Sequence, residues 1–433
     1  MDLLTANDRP GSYPPSLYAA QNPTPGPRPA PAGAPRTDVC VVGGGYTGLS
    51  TALHLARRGY KVTLLEAQRV GFGASGRNGG QVGAGQRLDQ DALERMVGLD
   101  HARRLAELAR EAVELVKALA AEPSVACRFH PGIIHAAHKA SLVGLEHDYA
   151  EKLQREYAYP HISTLTQAEM RELVGSDAYF GGTIDTASGH LDPMKYALGL
   201  ARLAEAEGVT IHENARVTQI DGGPKVTVRT DHAQIAADSV VLGCNGYLGR
   251  LNNRVAAHVM PINNFIVATA PMSPQAQERI IRHNHAVADS KFVINYFRFS
   301  DDHRLIFGGT ESYGYRFPHD IAAKVRKPLR QIFPQLADVQ IDHAWGGSLG
   351  ITMNRMPHFE RLSGNILSMS GFSGHGVAMA TLAGQLGAEA IAGQTERFDV
   401  MARVPTPSFP GGTLLRSPLL VLGMLWFSLR DRL

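Results

Sequence analysis

The residues best suited to chemistry are Gly43, Gly45 and Gly48, spaced as GxGxxG within Gly43-Gly44-Gly45-Tyr46-Thr47-Gly48. In such a run the first glycine permits a tight turn, the second lets backbone approach a pyrophosphate, and the third lets a helix pack closely on a strand. Unpaired N–H groups at the helix start then meet the phosphate charge. Glu66, followed by Ala67, stands where a carboxylate accepts hydrogen bonds from a ribose diol. An acid there disfavours a 2′-phosphate, and hence NADP, but leaves FAD and NAD open.

Two further segments bear on that choice. Gly73-Ala74-Ser75-Gly76-Arg77-Asn78-Gly79-Gly80-Gln81 is a small-residue loop with one cation, suited to wrapping a pyrophosphate and approaching a flat ring. A flexible surface loop has the same composition. Gly371-Phe372-Ser373-Gly374-His375-Gly376 precedes the last helix, which opens at Val377. A helix N-terminus there stabilises the negative charge of a reduced flavin. His375 reads equally well as a site residue and as a turn histidine capping the helix.

The elements around these segments follow from pattern. Val39-Cys40-Val41-Val42 is an apolar run of the kind buried on both faces of a parallel sheet. Leu49 to Arg58 reads as a helix stopped by Gly59, and Lys61 to Glu66 as the next strand, completing β-α-β. Gln90 to Leu119 is helical throughout by periodicity. Asp192 and Pro193 begin another helix as N-cap and first residue, with Val209–Ile211 following as a strand. Ser239–Gly243, Phe265–Thr269, Phe292–Phe299, Arg304–Phe307 and Ile366–Met369 read as strands, and Val377 to about Ile391 as a helix.

The fold class is therefore α/β: a Rossmann-like cofactor domain assembled from discontinuous segments, interleaved with an α+β substrate domain on a mostly antiparallel sheet. The expected divisions are a Pro-rich arm over 1–36, a cofactor domain from 37–90, 181–255 and 340–400, a substrate domain from 91–180 and 256–339, and a tail over 401–433 packed on the body.

A net charge of only +3 gives no support to nucleic-acid binding, which needs a clustered basic face. Cys40, Cys127 and Cys244 are far apart and form no CxxC, so neither a disulfide scaffold nor a metal site is expected and a reducing compartment fits. The N-terminus lacks a signal-peptide pattern. The apolar stretch Pro418–Leu429 is well short of the roughly 20 residues that span a bilayer, leaving packing on the body or peripheral membrane contact. The expected location is cytoplasmic.

Five stretches, DVCVVGGGYTGLSTALHLA, VGFGASGRNGGQ, SGHLDPMKYA, RMPHFERL and SGFSGHGVAMATLAGQLGAEAI, together resemble the D-amino-acid-oxidase-type FAD oxidoreductases, and within them the branch that oxidises gamma-glutamylputrescine. The tail segments Ser408–Gly412 and Ser428–Arg432 fit the same resemblance. It implies that Gly43, Gly45, Gly48 and Glu66 hold the ADP half of FAD, with Tyr46, Thr47 and Ala67 alongside. Ser75, Arg77, Asn78, Gly79, Gly80 and Gln81, with Ala74, would face the pyrophosphate and flavin. Val217 would meet the adenine through its backbone, Gly246 would join the cofactor contacts, and Gly371 to Val377 would enclose the flavin's pyrimidine end. Relatives that tether the flavin use a cysteine in the last third of the chain, and none follows Cys244, so non-covalent FAD is expected.

The resemblance also bears on substrate. Amino-acid-oxidising relatives carry an arginine for the substrate carboxylate where this chain has Gly347-Ser348-Leu349-Gly350-Ile351. An α-carboxylate beside the reacting carbon would go unpaired there. A small-molecule amine with a distant carboxylate, as in gamma-glutamylputrescine, is favoured over a D-amino acid, glycine or sarcosine. An electron-transfer flavoprotein is the more distant alternative. Arg355 or Arg298 would receive the remote carboxylate, although Arg355 fits a structural ion pair as well. Phe265, Tyr296, Phe297 and Trp345 are candidate pocket walls or ordinary core. Tyr296 and Arg298 share one strand face, which looks either into the pocket or to solvent. Tyr296, Arg298, Arg355 and His375 are thus the candidate catalytic residues. Arg304–Gly309 contains no lysine of the kind that activates oxygen in sarcosine-oxidising relatives, so O2 and another electron acceptor both stay open.

Overall fold

In a computed structural model of the chain, residues 2–412 are described. They form two sheets. One has eight strands, whose main path runs His358–Ser363, Ile366–Ser370, Gln234–Leu242, Arg36–Val42, Val62–Leu65 and Thr210–His212. Its centre is parallel, as β-α-β connections require, and His358–Ser363 adds an antiparallel edge. The hairpin Val217–Asp221 with Val226–Thr230 branches from Gln234–Leu242. Central strand Arg36–Val42 buries Cys40 and Val41 completely, consistent with a sheet covered on both faces.

The second sheet has nine strands, and every pairing is antiparallel except Ala286–Asp289 on His130–Ala136. Gly182–His190 and Ile341–Ile351, grouped by sequence with the cofactor segments, pair in this sheet. Gln81–Val82 also joins it, so the glycine loop after the second parallel strand bridges the two sheets.

Local sequence explains most boundaries. The helix Tyr46–Ala56 starts three residues earlier than its apolar periodicity suggested, directly after the glycine turn. Asp192 caps Pro193–Ala206 by accepting from the amides of Met194 and Lys195 at 2.9 and 2.8 Å. The single helix expected over 90–119 is two, Gln90–Val97 and Leu99–Ala121. Gly98, at φ 83°, caps the end of the first and the start of the second in a conformation open to glycine alone. The expected strand Phe292–Phe299 is only Tyr296–Phe299. Asp289 accepts from the Asn295 backbone and side chain at 2.9 and 2.7 Å, folding the intervening residues into a turn.

The last long helix, Gly376–Ile391, crosses Tyr46–Ala56 at very close range. A Cβ on Gly384 would lie 2.5 Å from the Thr47 carbonyl oxygen, and Ser50 donates to the Thr381 carbonyl at 2.6 Å. That contact ties the last long helix to the glycine turn near the start of the chain.

The N-terminal arm follows the body through turns over residues 2–5 and 9–12, one short helix, Leu17–Gln21, and extended chain after it, where only extended structure was expected. Ser16 caps it, and Leu17 and Tyr18 are buried against the body. Of the tail, Pro405, Thr406 and Phe409 bond to Asn354, His258 and Ala257. The stretch Pro418–Leu429 and the ending Ser428–Arg432 lie outside the described residues.

Candidate functional site

A cavity of about 1110 Å³ runs between the two sheets, above the roughly 300–1,000 Å³ of drug-sized sites. At one end is the glycine turn. Gly43 has φ 109°, and a Cβ there would sit 2.9 Å from the Gly243 carbonyl oxygen. Gly48 does not line the cavity; its Cβ would lie 1.8 Å from the Gly43 carbonyl oxygen, so it serves helix–strand packing. Gly45, Tyr46 and Thr47 do line it, and the Tyr46 amide donates to Ser75 Oγ at 3.0 Å. A helix N-terminus and a hydroxyl thus meet on the cavity wall, an arrangement of the kind that suits an anion.

Glu66 and Ala67 line the same end. Glu66 accepts from the Gly44 amide at 2.6 Å and the Gln68 amide at 2.8 Å. Burial pushes its carboxyl up to about 7, against the pull of those N–H groups. Val217 lines this end too, beside Arg216, which pairs with Asp2 of the arm. Gly246 does not reach the cavity; it packs 3.2 Å, Cβ position to amide, from Gly350.

The small-residue loop forms the middle of the wall through Ala74, Ser75, Arg77, Asn78, Gly79 and Gln81. Asn78 braces it, donating to the Ala74 and Ser75 carbonyls and accepting from the Gly80 amide at 2.7 Å. Gly80 faces away, with φ 79° and the Leu191 carbonyl 2.0 Å from its Cβ position. The Arg77 guanidinium was expected to face phosphate, but its bonds go to the Phe72 carbonyl (2.6 Å), the Gly346 carbonyl (3.1 Å) and Asp8 of the arm (2.8 Å). Its side chain is 1% exposed, so it braces the loop from behind.

Phe372 to Val377 line the far end, while Gly371, at φ 76°, turns the chain and donates to Asn245. His375 is the N-cap residue by position, yet its side chain makes no capping bond. Burial, with Arg87 and His135 nearby, pushes its imidazole down to about 3, so it is neutral at ordinary pH.

Of the other candidate catalytic residues, Tyr296 and Arg355 line the cavity and Arg298 does not. Tyr296 and Arg298 do share a face, and both press on the glycine loop. A Cβ on Gly79 would lie 2.6 Å from the Tyr296 ring, and Arg298 Nε donates to the Gly79 carbonyl at 2.5 Å. The loop therefore stands between Arg298 and the cavity, and the remaining N–H groups go to the Phe299 carbonyl and the Tyr18 hydroxyl. Arg298 is corrected from substrate contact to loop support. Phe265, Phe297 and Trp345 are core, each at most 1% exposed and none lining the cavity. Tyr296 donates to Asn264 Oδ1 at 2.5 Å. The ion pair considered for Arg355 is not formed with any described carboxylate; its guanidinium carbon lies 5.4 Å from the Phe292 ring centre. Arg87 and Glu311, not singled out by sequence, also line the cavity. Arg87 follows the glycine loop closely enough that its position was a usable signal. Glu311 had none, because it sits at the end of a strand whose length was underestimated.

A cleft that sets a glycine turn and a buried acid on a parallel sheet against a second, mostly antiparallel sheet is the arrangement expected of a dinucleotide-dependent oxidoreductase. The chain belongs to the DAO family of FAD-dependent oxidoreductases, whose pattern it matches over residues 38–390. It is 43% identical over 401 residues to the "Probable oxidoreductase OrdL" of Rhizobium meliloti, covering 92% of this chain and 93% of that one. It is 40% identical over 397 residues to the gamma-glutamylputrescine oxidoreductase of Escherichia coli, again covering 92% and 93%. In fold it resembles glycine oxidase from Geobacillus kaustophilus (TM-score 0.71, 20% identity, 83% of this chain and 95% of that one). L-proline dehydrogenase from P. horikoshii is equally similar (TM-score 0.71, 22% identity, 86% and 98%). No helix among the described residues is long and apolar enough to cross a membrane.

Proposed function

We propose that this enzyme oxidises the terminal primary amine of a gamma-glutamylated diamine, gamma-glutamylputrescine foremost, as a cytoplasmic step of putrescine breakdown, with FAD held non-covalently. The observation that carries the reading is the segment Gly347–Ile351, which lines the cavity and brings it no cation. An α-carboxylate next to the reacting carbon would be buried there without a partner, whereas an alkylamine would not. The 40% identity to an oxidoreductase named for gamma-glutamylputrescine points the same way.

The residues fit FAD. Gly43, Gly45, Tyr46, Thr47, Ser75 and Glu66 would hold its ADP half, Val217 would lie at the adenine, and Asn78, Gly79, Gln81 and Phe372–Val377 would enclose the flavin. Bound FAD supplies a two-electron oxidation in which the amine-bearing carbon gives up a hydride equivalent and water hydrolyses the imine to an aldehyde and ammonia. The protein orients the amine and lowers its pKa through apolar surroundings, because only the neutral amine reacts. Tyr296, held by Asn264, is a wall for that orientation. Neutral His375 and the start of the helix Gly376–Ile391 offer donors without a fixed positive charge. Non-covalent binding is supported by the thiols. Cys40, Cys127 and Cys244 are each pushed up to about 12 by burial, and Cys244 donates to the Val42 carbonyl at the ADP end.

The test is anaerobic. Gamma-glutamylputrescine should bleach the flavin absorbance and free D-amino acids, glycine and sarcosine should not; the reverse pattern would give the site to an amino acid oxidase. Steady turnover of the amine with O2 against added electron carriers then decides the acceptor.

A further inference from the structure

The buried arginines among the described residues each make at least two hydrogen bonds, although Nη2 of Arg77 is left without a partner. Arg77 has two carbonyls and Asp8, Arg69 has Glu213 and the Pro25 carbonyl, and Arg298 has two carbonyls and a hydroxyl. Two cavity arginines break this rule. Arg87 uses Nε on the Ser373 carbonyl at 3.1 Å, and its other N–H groups have no partner among the described residues. Arg355, on the turn after strand Ile341–Ile351 and held at φ 67°, has no side-chain hydrogen bond or ion pair among them. A guanidinium carries five donors, and leaving them unmet in a half-buried site is costly.

Glu311 faces the same space. Its carboxylate has one weak donor, the Tyr313 hydroxyl at 3.4 Å, because Lys324 bonds to its backbone carbonyl and lies over the Phe265 ring. Each arginine is pushed down and Glu311 pushed up, in all three cases mainly by burial. Of the other acids on the cavity wall, Asp185 is engaged with Tyr159 and Ser188 and Asp289 with Asn295, and burial raises the Glu146 carboxyl. All three line the cavity and act on one another electrostatically, and two cations against one anion leave this group net positive.

We propose that Arg87, Arg355 and Glu311 form a subsite for an α-amino-acid head group, the two arginines holding its carboxylate and Glu311 its ammonium. The inference rests on the proposed amine oxidation and adds the group that selects the substrate. A free diamine would bring a second ammonium against two guanidiniums, so the subsite rejects it; a glutamyl head satisfies every unmet group at once.

The test uses the FAD-loaded enzyme and gamma-glutamyl-butylamide, which keeps the head but lacks the oxidisable amine. Calorimetry should show it binding at least tenfold more tightly than N-butylacetamide. R87Q and R355Q should each weaken it about ten- to a hundredfold, as expected for a lost charge-assisted bond. E311Q should do the same, and R355K should recover part of the loss. Equal binding of the two amides by the unaltered enzyme would overturn the subsite whatever the variants do, as would variants that bind the head normally. If the butylamide binds through the arginines but gamma-glutamylputrescine leaves the flavin oxidised, the subsite stands and the amine oxidation falls. If gamma-glutamylputrescine is oxidised while R87Q and R355Q keep its KM advantage over N-acetylputrescine, the subsite falls alone.

Discussion

Replacing Asp8 with asparagine removes one charge from a pair whose partner, Arg77, cannot reach water. The Arg77 side chain is 1% exposed and that of Asp8 10%, at a separation of 2.8 Å. In the variant the guanidinium keeps the Phe72 and Gly346 carbonyls and loses its only counter-charge among the described residues, while Nη2 already lacks a partner. Breaking a buried pair costs about 3–5 kcal/mol, and the slight exposure of Asp8 places this one near about 3 kcal/mol. Part of that falls on the arm, whose nearby anchors are Asn7 on Tyr315 and Phe317 and Gln68 on Leu4 and Gly11. The arm should therefore open about a hundredfold more often. Amide hydrogen exchange over residues 2–12 should quicken by that factor. Thermal unfolding should shift down by several degrees, and flavin should leave the loop faster on dilution. An Asp8→Asn protein with unchanged exchange, melting and flavin retention would refute the claim that this arm neutralises the loop's one cation.

Gly48→Ala places a Cβ 1.8 Å from a backbone oxygen, so the better helix propensity of alanine is overwhelmed and purified variant should carry little or no FAD by its absorbance. Glu66 is raised to about 7, and its ionised form is the one that accepts from ribose hydroxyls. FAD should be held firmly above that pH and released faster below it, with Glu66→Gln flattening the dependence in a fluorescence-release assay. His54 and His358 are both lowered by burial, from 6.5 to about 4. The unfolded chain then binds more protons between those values. Stability should be complete above about pH 6.5 and fall toward pH 4, by up to about 1.4 kcal/mol per pH unit for each imidazole; a flat urea midpoint across that window would contradict their burial.

Much of the cofactor end was legible because its signals are local. A glycine at a positive-φ turn, an Asp-Pro helix start and an apolar strand each act within a few residues of chain, so Gly43, Asp192 and Val39–Val42 read correctly without knowledge of the fold. The same locality failed at Gly98, where apolar periodicity continues straight across a residue that breaks the helix. It failed again at Phe292, where β-forming side chains lie in a turn tied by Asp289.

The amino-acid sequence by itself determined the nucleotide turn, the loop that follows it, the glycine-rich start of the last helix and the family they belong to. Tertiary structure alone decided what each charge does. Arg77, Arg298 and Arg355 were all candidate site cations in the sequence, yet the first two are spent on Asp8, Tyr18 and backbone carbonyls from distant segments. Arg87 and Arg355 reach the cavity wall with donors to spare among the described residues. The physical reason is that a buried charge is governed by whatever groups surround it in space, and those come from parts of the chain that only folding brings together.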